Sequence, residues 1–103
     1  MFDEIIEALA PDGIYFPTLG GQAMFFAAPG ANFEQIIITS ATGYRYEIQR
    51  EIFDQILERY NELPDNLRTM AGQYVQPNWP ECPNNQKSPY VAKLIHLRRT
   101  GEL

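Results

Sequence analysis

The chain has 103 residues, of which 45% are hydrophobic and 20% charged, and its formal net charge is −5. This length is typical of one domain with its own apolar core, so we predict a single domain over residues 1–103. One cysteine, Cys82, excludes an internal disulfide framework. The amino terminus lacks the basic stretch of a signal peptide, and no apolar run reaches the roughly 18 residues of a membrane span. We therefore expect a cytoplasmic protein with no membrane partner.

The charge is distributed unevenly along the chain. Residues 1–86 contain four Lys or Arg and twelve Asp or Glu side chains, whereas residues 87–103 contain four cationic side chains and only Glu102 as an acid. A mainly acidic body repels phosphate backbones. Nucleic acid is therefore disfavoured as a partner, unless the basic carboxyl-terminal segment acts alone.

The first predicted element is a short amphipathic helix. Asp3 is a residue type that caps helices, and Pro11, Asp12 and Gly13 would stop the helix. Its apolar stripe is formed by Ile5, Ile6 and Leu9.

Two aromatic-rich runs, at 14–16 and 23–28, predict a β-hairpin. Gly20 and Gly21 separate the runs and tolerate the positive φ angles that a chain reversal needs. Pro17 has no amide donor, so the first strand should lie at the edge of the sheet or end at this residue.

The next two strands differ in pattern. Residues 35–39 contain three successive isoleucines, which is typical of a strand in the centre of a sheet. After a short loop that ends at Gly43, polar and apolar residues alternate: Tyr44, Tyr46 and Ile48 belong to one face and Arg45, Glu47 and Gln49 to the other. The loop length predicts that the two strands are antiparallel neighbours.

Helical periodicity then replaces alternation over residues 50–62. The apolar positions repeat with a period near 3.6 and comprise Ile52, Phe53, Ile56, Leu57 and Tyr60. Pro64 ends this helix, because the residue before a proline is driven out of helical geometry. The helix is long enough to cover the apolar face of a small sheet.

Residues 65–87 contain several prolines and predict an extended loop that carries Trp79. Ser88 followed by Pro89 is a strong helix start. The inward stripe of this last helix should comprise Val91, Leu94 and Ile95, with Tyr90 or Leu97 beside it. Lys93, His96 and Arg99 recur every three residues and predict one exposed ridge.

Together these elements predict an α+β fold. Three or four strands should form an antiparallel meander with amphipathic helices packed on one face, in the order helix, four strands, helix, loop, helix.

The chain contains few residues that could form a catalytic site. Ser88 and His96 lie eight residues apart on one predicted helix, a rise of about 12 Å, so they cannot form a dyad there. Cys82 lies between Glu81 and Pro83, where the carboxylate disfavours a thiolate. One Cys and one His are too few for a structural zinc site. We therefore expect no enzyme activity and no cofactor or metal.

These observations favour a non-enzymatic domain that binds a protein partner or a second copy of itself, as a homodimer. The candidate partner-binding residues are Trp79, Tyr90, Lys93, His96, Arg98 and Arg99. Two alternatives remain open. The basic last helix would suit an accessory protein that contacts nucleic-acid phosphates, and the acidic row Asp54, Glu58 and Glu62 would suit an inhibitor that mimics nucleic acid.

Overall fold

The computed structural model of the protein describes residues 1–18, 23–64 and 88–103. Within these ranges the elements are helix α1 (Phe2–Leu9), strands β1 (Ile14–Pro17) and β2 (Met24–Pro29), a 3-10 turn (Ala31–Phe33), strands β3 (Gln35–Thr39) and β4 (Arg45–Gln49), and helices α2 (Arg50–Glu62) and α3 (Ser88–Arg99). The α+β class is confirmed. The predicted turn at Gly20 and Gly21 and the predicted loop at 65–87, with Trp79, lie outside the described residues.

The four strands form one antiparallel sheet in the order β1-β2-β3-β4, which is the predicted meander. β3 lies between β2 and β4, as its isoleucine run predicts. β1 is an edge strand that ends at Pro17, where a missing amide donor costs least.

One face of the sheet, here called the inner face, is packed against the helices. Its buried side chains are Phe16, Phe25, Ala27, Ile36, Ile38 and Ile48. They belong to the same apolar cluster as the buried residues of all three helices. Burial of this apolar area is the main force that holds the helices on the sheet.

Helix α2 occupies the predicted bounds of 50–62 and buries its predicted stripe. Phe53, Ile56 and Tyr60 are each at most 1% exposed, and Ile52 and Leu57 are half-buried at the sides of the stripe. α1 buries its predicted stripe as well, together with Phe2.

The connection between β3 and β4 is a short turn, as predicted. The amide of Ser40 donates to the carbonyl of Tyr44 at 2.8 Å, and the amide of Gly43 donates to the carbonyl of Ser40 at 3.0 Å. Gly43 has a φ of 92°, which glycine adopts without strain. Tyr44 was predicted to share one face of the strand with Tyr46 and Ile48, but it precedes β4 and is 68% exposed. Tyr46 is the first residue on that side to pack against the core.

The start of α1 differs from the prediction. The helix begins at Phe2 with Met1 in the N-cap position, so Asp3 is not the cap. Phe2 is 3% exposed, and extending the helix to this residue places its ring in the core. Asp3 instead accepts a hydrogen bond from Arg50 at 2.8 Å, and the guanidinium of Arg50 lies 4.5 Å from the centre of the Phe2 ring.

The buried position of α2 generates a stability prediction. Phe53→Ala removes a ring that is fully buried, and we expect it to lower the free energy of unfolding by about 3–5 kcal/mol. Phe33→Ala is the matched control, because Phe33 is 57% exposed and its truncation should change stability by about 0.5 kcal/mol or less. Urea unfolding followed by circular dichroism measures both. Equal losses in the two variants would contradict this core.

Two glycines with the same left-handed backbone provide a second comparison. Gly13 has a φ of 83°, and a Cβ atom there would lie 2.5 Å from the Phe26 ring and 2.8 Å from the carbonyl of Ala27. At Gly43 the same atom would meet no described atom within 4 Å. Gly43→Ala should therefore cost only the backbone strain of about 1–2 kcal/mol, and Gly13→Ala should cost clearly more. Thermal unfolding of both variants tests this order.

Candidate interaction surface

The candidate Tyr90 is part of the packing rather than a freely presented anchor. Its ring centre lies 5.1 Å from that of Phe25 and 5.9 Å from that of Tyr46, and the side chain is half-buried. Burial, with a smaller contribution from the neighbouring Tyr46 hydroxyl, raises the pKa of Tyr90. Tyr90 therefore bridges α3 and the inner face of the sheet.

The predicted ridge on α3 is only partly exposed. Lys93 and His96 are half-buried, and Arg99 is exposed. The Nδ1 atom of His96 lies 3.3 Å from the hydroxyl of the buried Tyr60. Other parts of the domain cover much of α3, since five of its side chains are buried: Val91, Ala92, Leu94, Ile95 and Leu97. These contacts leave little of the ridge for a partner.

The two arginines at the end of α3 contact other parts of the domain. Arg98 donates from Nε to a carboxylate oxygen of Glu4 at 3.1 Å and from Nη1 to the carbonyl of Leu103 at 3.0 Å. Arg99 donates to the side chain of Asn61, and its guanidinium lies 5.4 Å from the ring centre of Tyr60. These two arginines thus connect α3 to α1 and α2.

Acidic side chains dominate the exposed surface of the helices. Asp54, Glu58 and Glu62, which form the predicted acidic row, are exposed on α2, and Glu62 pairs with Arg59 of the same helix at 3.2 Å. α1 adds three further exposed acids, Asp3, Glu4 and Glu7. The described helices lie on the inner side of the sheet and carry seven acids and five Lys or Arg side chains, so this side has a small excess of negative charge.

The opposite side of the sheet, here called the outer face, has a different character. Pleat and register place eleven strand residues on it: Tyr15, Pro17, Met24, Phe26, Ala28, Gln35, Ile37, Thr39, Arg45, Glu47 and Gln49. The only charged members are Arg45 and Glu47, which form an ion pair at 3.8 Å. The strand residues of this face therefore carry no net charge. None of the described helices packs on it.

Four apolar residues of β1, β2 and β3 form what we call the outer-face patch: Tyr15, Met24, Phe26 and Ile37. Tyr15 is 69% exposed and Met24 is 48% exposed. The rings of Tyr15 and Phe26 contact each other with 4.7 Å between their centres. The patch borders a groove of about 320 Å³ that reaches the β3–β4 turn at Ser40 and Ala41. Exposed apolar clusters of this kind are typical of interaction surfaces.

Strand β4 forms the other border of the sheet. Among the described residues β4 pairs with β3 alone, so one row of its main-chain groups faces away from the sheet. Open strand edges are templates for pairing with another chain. β4 is thus the border strand of the sheet within the described ranges.

A separate groove of about 410 Å³ lies between α1 and the 3-10 turn, and its lining includes Ile6, Glu7 and Phe33. Asn32 and Phe33 both have positive φ angles, 56° and 58°, and this conformation turns the Phe33 ring outward to 57% exposure. Phe33 is thus an exposed aromatic residue remote from the outer face, which makes it a suitable control position.

Within residues 1–18, 23–64 and 88–103, no group of three His, Cys, Asp or Glu side chains is arranged to hold a metal ion. No helix in the same ranges combines the length and apolar character required to span a bilayer. Trp79 and Cys82 lie outside these ranges.

Sequence reasoning missed the outer-face patch. The signal was present, because residues 14–16 and 24–28 are apolar at both odd and even positions, and such strands bury one face and leave apolar side chains on the other. The sequence predicts helices on one face of the sheet, but the consequence that Tyr15, Met24 and Phe26 share the face that the described helices leave uncovered was not drawn from it. The exposure of Tyr44 was not predicted either, because the alternation of polar and apolar residues placed Tyr44 on the same face as Tyr46 and Ile48.

The contact between Arg98 and Glu4 generates a pH prediction. The guanidinium of Arg98 donates to Glu4 and holds the pKa of that carboxyl below its ordinary value of 4.5. We expect Arg98→Gln to raise the pKa of Glu4 toward this value, as measured by NMR titration of the side-chain carboxyl. Arg45→Gln is the control and should leave Glu4 unchanged.

The same contact links stability to pH. Because the pKa of Glu4 is lower in the folded state, its stabilisation is complete above the ordinary value and is lost as the pH falls through the lowered folded pKa. The stability difference between the wild type and Arg98→Gln should therefore shrink in acid. A difference that grows in acid would contradict the ion pair.

Comparisons of the chain with protein-family models, with curated proteins and with solved structures found no match.

Proposed function

We propose that this chain is a non-enzymatic interaction domain that associates with a second copy of itself through the sheet side of the molecule. The observation that carries the proposal is the outer face of the sheet. It presents the outer-face patch, with Tyr15 69% exposed and Met24 48% exposed, and none of the described helices covers it. Burying such a patch against another protein surface is favourable by the hydrophobic effect.

The distribution of charge supports a second copy as the partner. The domain carries a net charge of −5, so two copies repel each other in most orientations. Contact through the helices would bring two acidic surfaces together. Contact through the sheet brings together two surfaces whose charged groups are one Arg45 and one Glu47 each. A two-fold interface must be self-complementary, and a surface with one cation and one anion imposes no conflict of charge on that requirement.

The size of the patch also bears on the proposal. A standard stable interface buries about 800 Å² on each partner, with aromatic residues enriched at its centre. The outer-face patch has four apolar residues, two of them largely exposed, and is smaller than such an interface. We therefore expect a weak dimer, with a dissociation constant in the micromolar range or above.

The alternatives based on charge receive less support. Arg98 and Arg99 contact Glu4 and Asn61, so a phosphate would have to compete with these groups. The acidic row on α2 is interrupted by Arg59, which pairs with Glu62. Each of these two surfaces thus has part of its charge engaged in contacts within the domain.

Sedimentation velocity between about 1 and 500 μM tests the proposal, because this range brackets weak complexes. We expect the weight-average mass to rise from that of one chain toward that of two as the concentration increases. Asp54→Asn changes the helical side and should leave the dissociation constant within about twofold of wild type, since the effect of one distant surface charge is small.

A mass that stays at one chain over the whole range would overturn the proposal. So would an association that Asp54→Asn or another helical-side change abolishes while changes on the sheet leave it intact.

A further inference from the structure

We infer that two copies of this chain pack outer face to outer face about a two-fold axis that runs along β2, so that Tyr15 of each copy lies in the groove beside Thr39 of the other. This inference rests on the proposed self-association and names the contact that would perform it. It is drawn from the register of the sheet, the position of the groove and the position of the charged side chains.

The register arranges the outer-face side chains in rows that cross the sheet. One row consists of Tyr15 on β1, Phe26 on β2, Thr39 on β3 and Arg45 on β4. Neighbouring strands are about 4.8 Å apart, so Tyr15 and Thr39 lie roughly 10 Å from each other within one copy. The row thus begins at an exposed aromatic side chain and ends at a charged one.

The groove of about 320 Å³ lies in the same part of the outer face. Its lining includes residues 24–26 of β2 and residues 39–41 at the end of β3, and Tyr15 borders it from β1. A cavity of about 150 Å³ can hold a benzene molecule, so the groove has room for the ring of a tyrosine. Tyr15 itself is 69% exposed. A projecting ring and a groove that can receive one therefore lie side by side on one surface.

A two-fold axis along β2 exchanges the two sides of this strand. A position on β1 then faces a position on β3 of the second copy, because β1 and β3 are the neighbours of β2. Tyr15 therefore comes opposite Thr39 and the groove, and Phe26 comes opposite Phe26 of the second copy. Sheets related in this way have nearly aligned strands and lie about 10 Å apart, which is the usual geometry of face-to-face sheet packing.

The same axis keeps the charged side chains of the outer face out of the contact. β4 lies two strands from β2, whereas β1 is the border strand on the other side within the described ranges, so β4 has no strand opposite it in the second copy. An axis across the strands at Arg45 or at Glu47 would bring two like charges together, which is unfavourable at an interface. An axis along β3 would leave Tyr15 outside the contact.

This arrangement also covers the whole outer-face patch. Met24 and Phe26 lie on β2 and meet their own copies, while Ile37 on β3 meets the start of β1 of the second copy. Met24 is 48% exposed, and the flexible methionine side chain fills irregular space between two surfaces. The contact therefore buries the same residues on which the proposed function rests.

A nuclear Overhauser effect between copies tests the contact directly. In an equimolar mixture of isotope-labelled and unlabelled chains, we expect a filtered signal between the ring protons of Tyr15 and the methyl group of Thr39. Two strand spacings separate these groups within one copy, so the signal must arise between copies. Signals that connect Tyr15 to Tyr15 of the other copy instead would overturn the axis along β2.

Two neutral substitutions provide a second test. Tyr15→Ala removes the projecting ring, and Thr39→Gln places a longer polar side chain in the groove. We expect each variant to raise the dissociation constant about tenfold in sedimentation velocity. Phe33→Ala and Thr100→Gln are the matched controls, because both residues are exposed and lie away from the outer face; they should stay within about twofold of wild type. Circular dichroism confirms that each variant is folded.

Mixing the two variants shows whether Tyr15 and Thr39 meet between copies. In a mixed dimer, Tyr15 of the Thr39→Gln chain enters the unchanged groove of the Tyr15→Ala chain, and the other contact carries both changes. One of the two contacts is thus intact. We expect the mixture to associate about threefold more tightly than either variant alone, because half of the lost free energy returns. A dissociation constant between those of the two variants would overturn the inference.

The outcomes distinguish the inference from the proposed function. A strict monomer overturns both. Self-association that neither Tyr15→Ala nor Thr39→Gln weakens, with no signal between Tyr15 and Thr39, overturns the packing about β2 and leaves self-association standing.

Discussion

The structure depends on burial of the inner face of the sheet under the helices. Ile36 and Ile38 of β3 and Ile48 of β4 are completely buried, and they share one apolar cluster with Phe53 and Ile56 of α2. α2 starts at the residue that follows β4, so the chain has no slack with which to place this helix elsewhere. A strand with one apolar face and a helix with one apolar stripe bury both surfaces when they pack against each other.

One-sided packing has a direct consequence for the surface. All described helices lie on the inner face, so their acidic side chains collect on one side of the domain and the outer face stays nearly free of charge. Strands β1 and β2 are apolar on both of their faces, which leaves Tyr15 and Met24 in solvent. The candidate interaction surface thus results from the same packing that forms the core, which leaves the apolar outer face uncovered by the described helices.

The basic end of the chain has a structural use. Arg98 reaches Glu4 and Arg99 reaches Asn61, so the last helix is tied to α1 and α2 by charged and polar contacts around an apolar centre. Exposed ion pairs of this kind contribute little to stability individually. These contacts nevertheless involve Arg98 and Arg99, two of the residues that the sequence predicts as partner-binding. Of these cations, Arg98 is paired with an acid that lies 94 positions earlier in the chain.

The sequence by itself determined the type and order of the described elements, because the periods of two and of 3.6 residues are local properties of the chain. It determined the bounds of α2, the central position of β3 and the edge position of β1 at Pro17. Tertiary structure decided the rest: that Arg98 contacts Glu4 across 94 positions of sequence, that Tyr44 stays in solvent, and which sheet face stays uncovered by the described helices. These features depend on which remote segments meet in space, and periodicity contains no information about that.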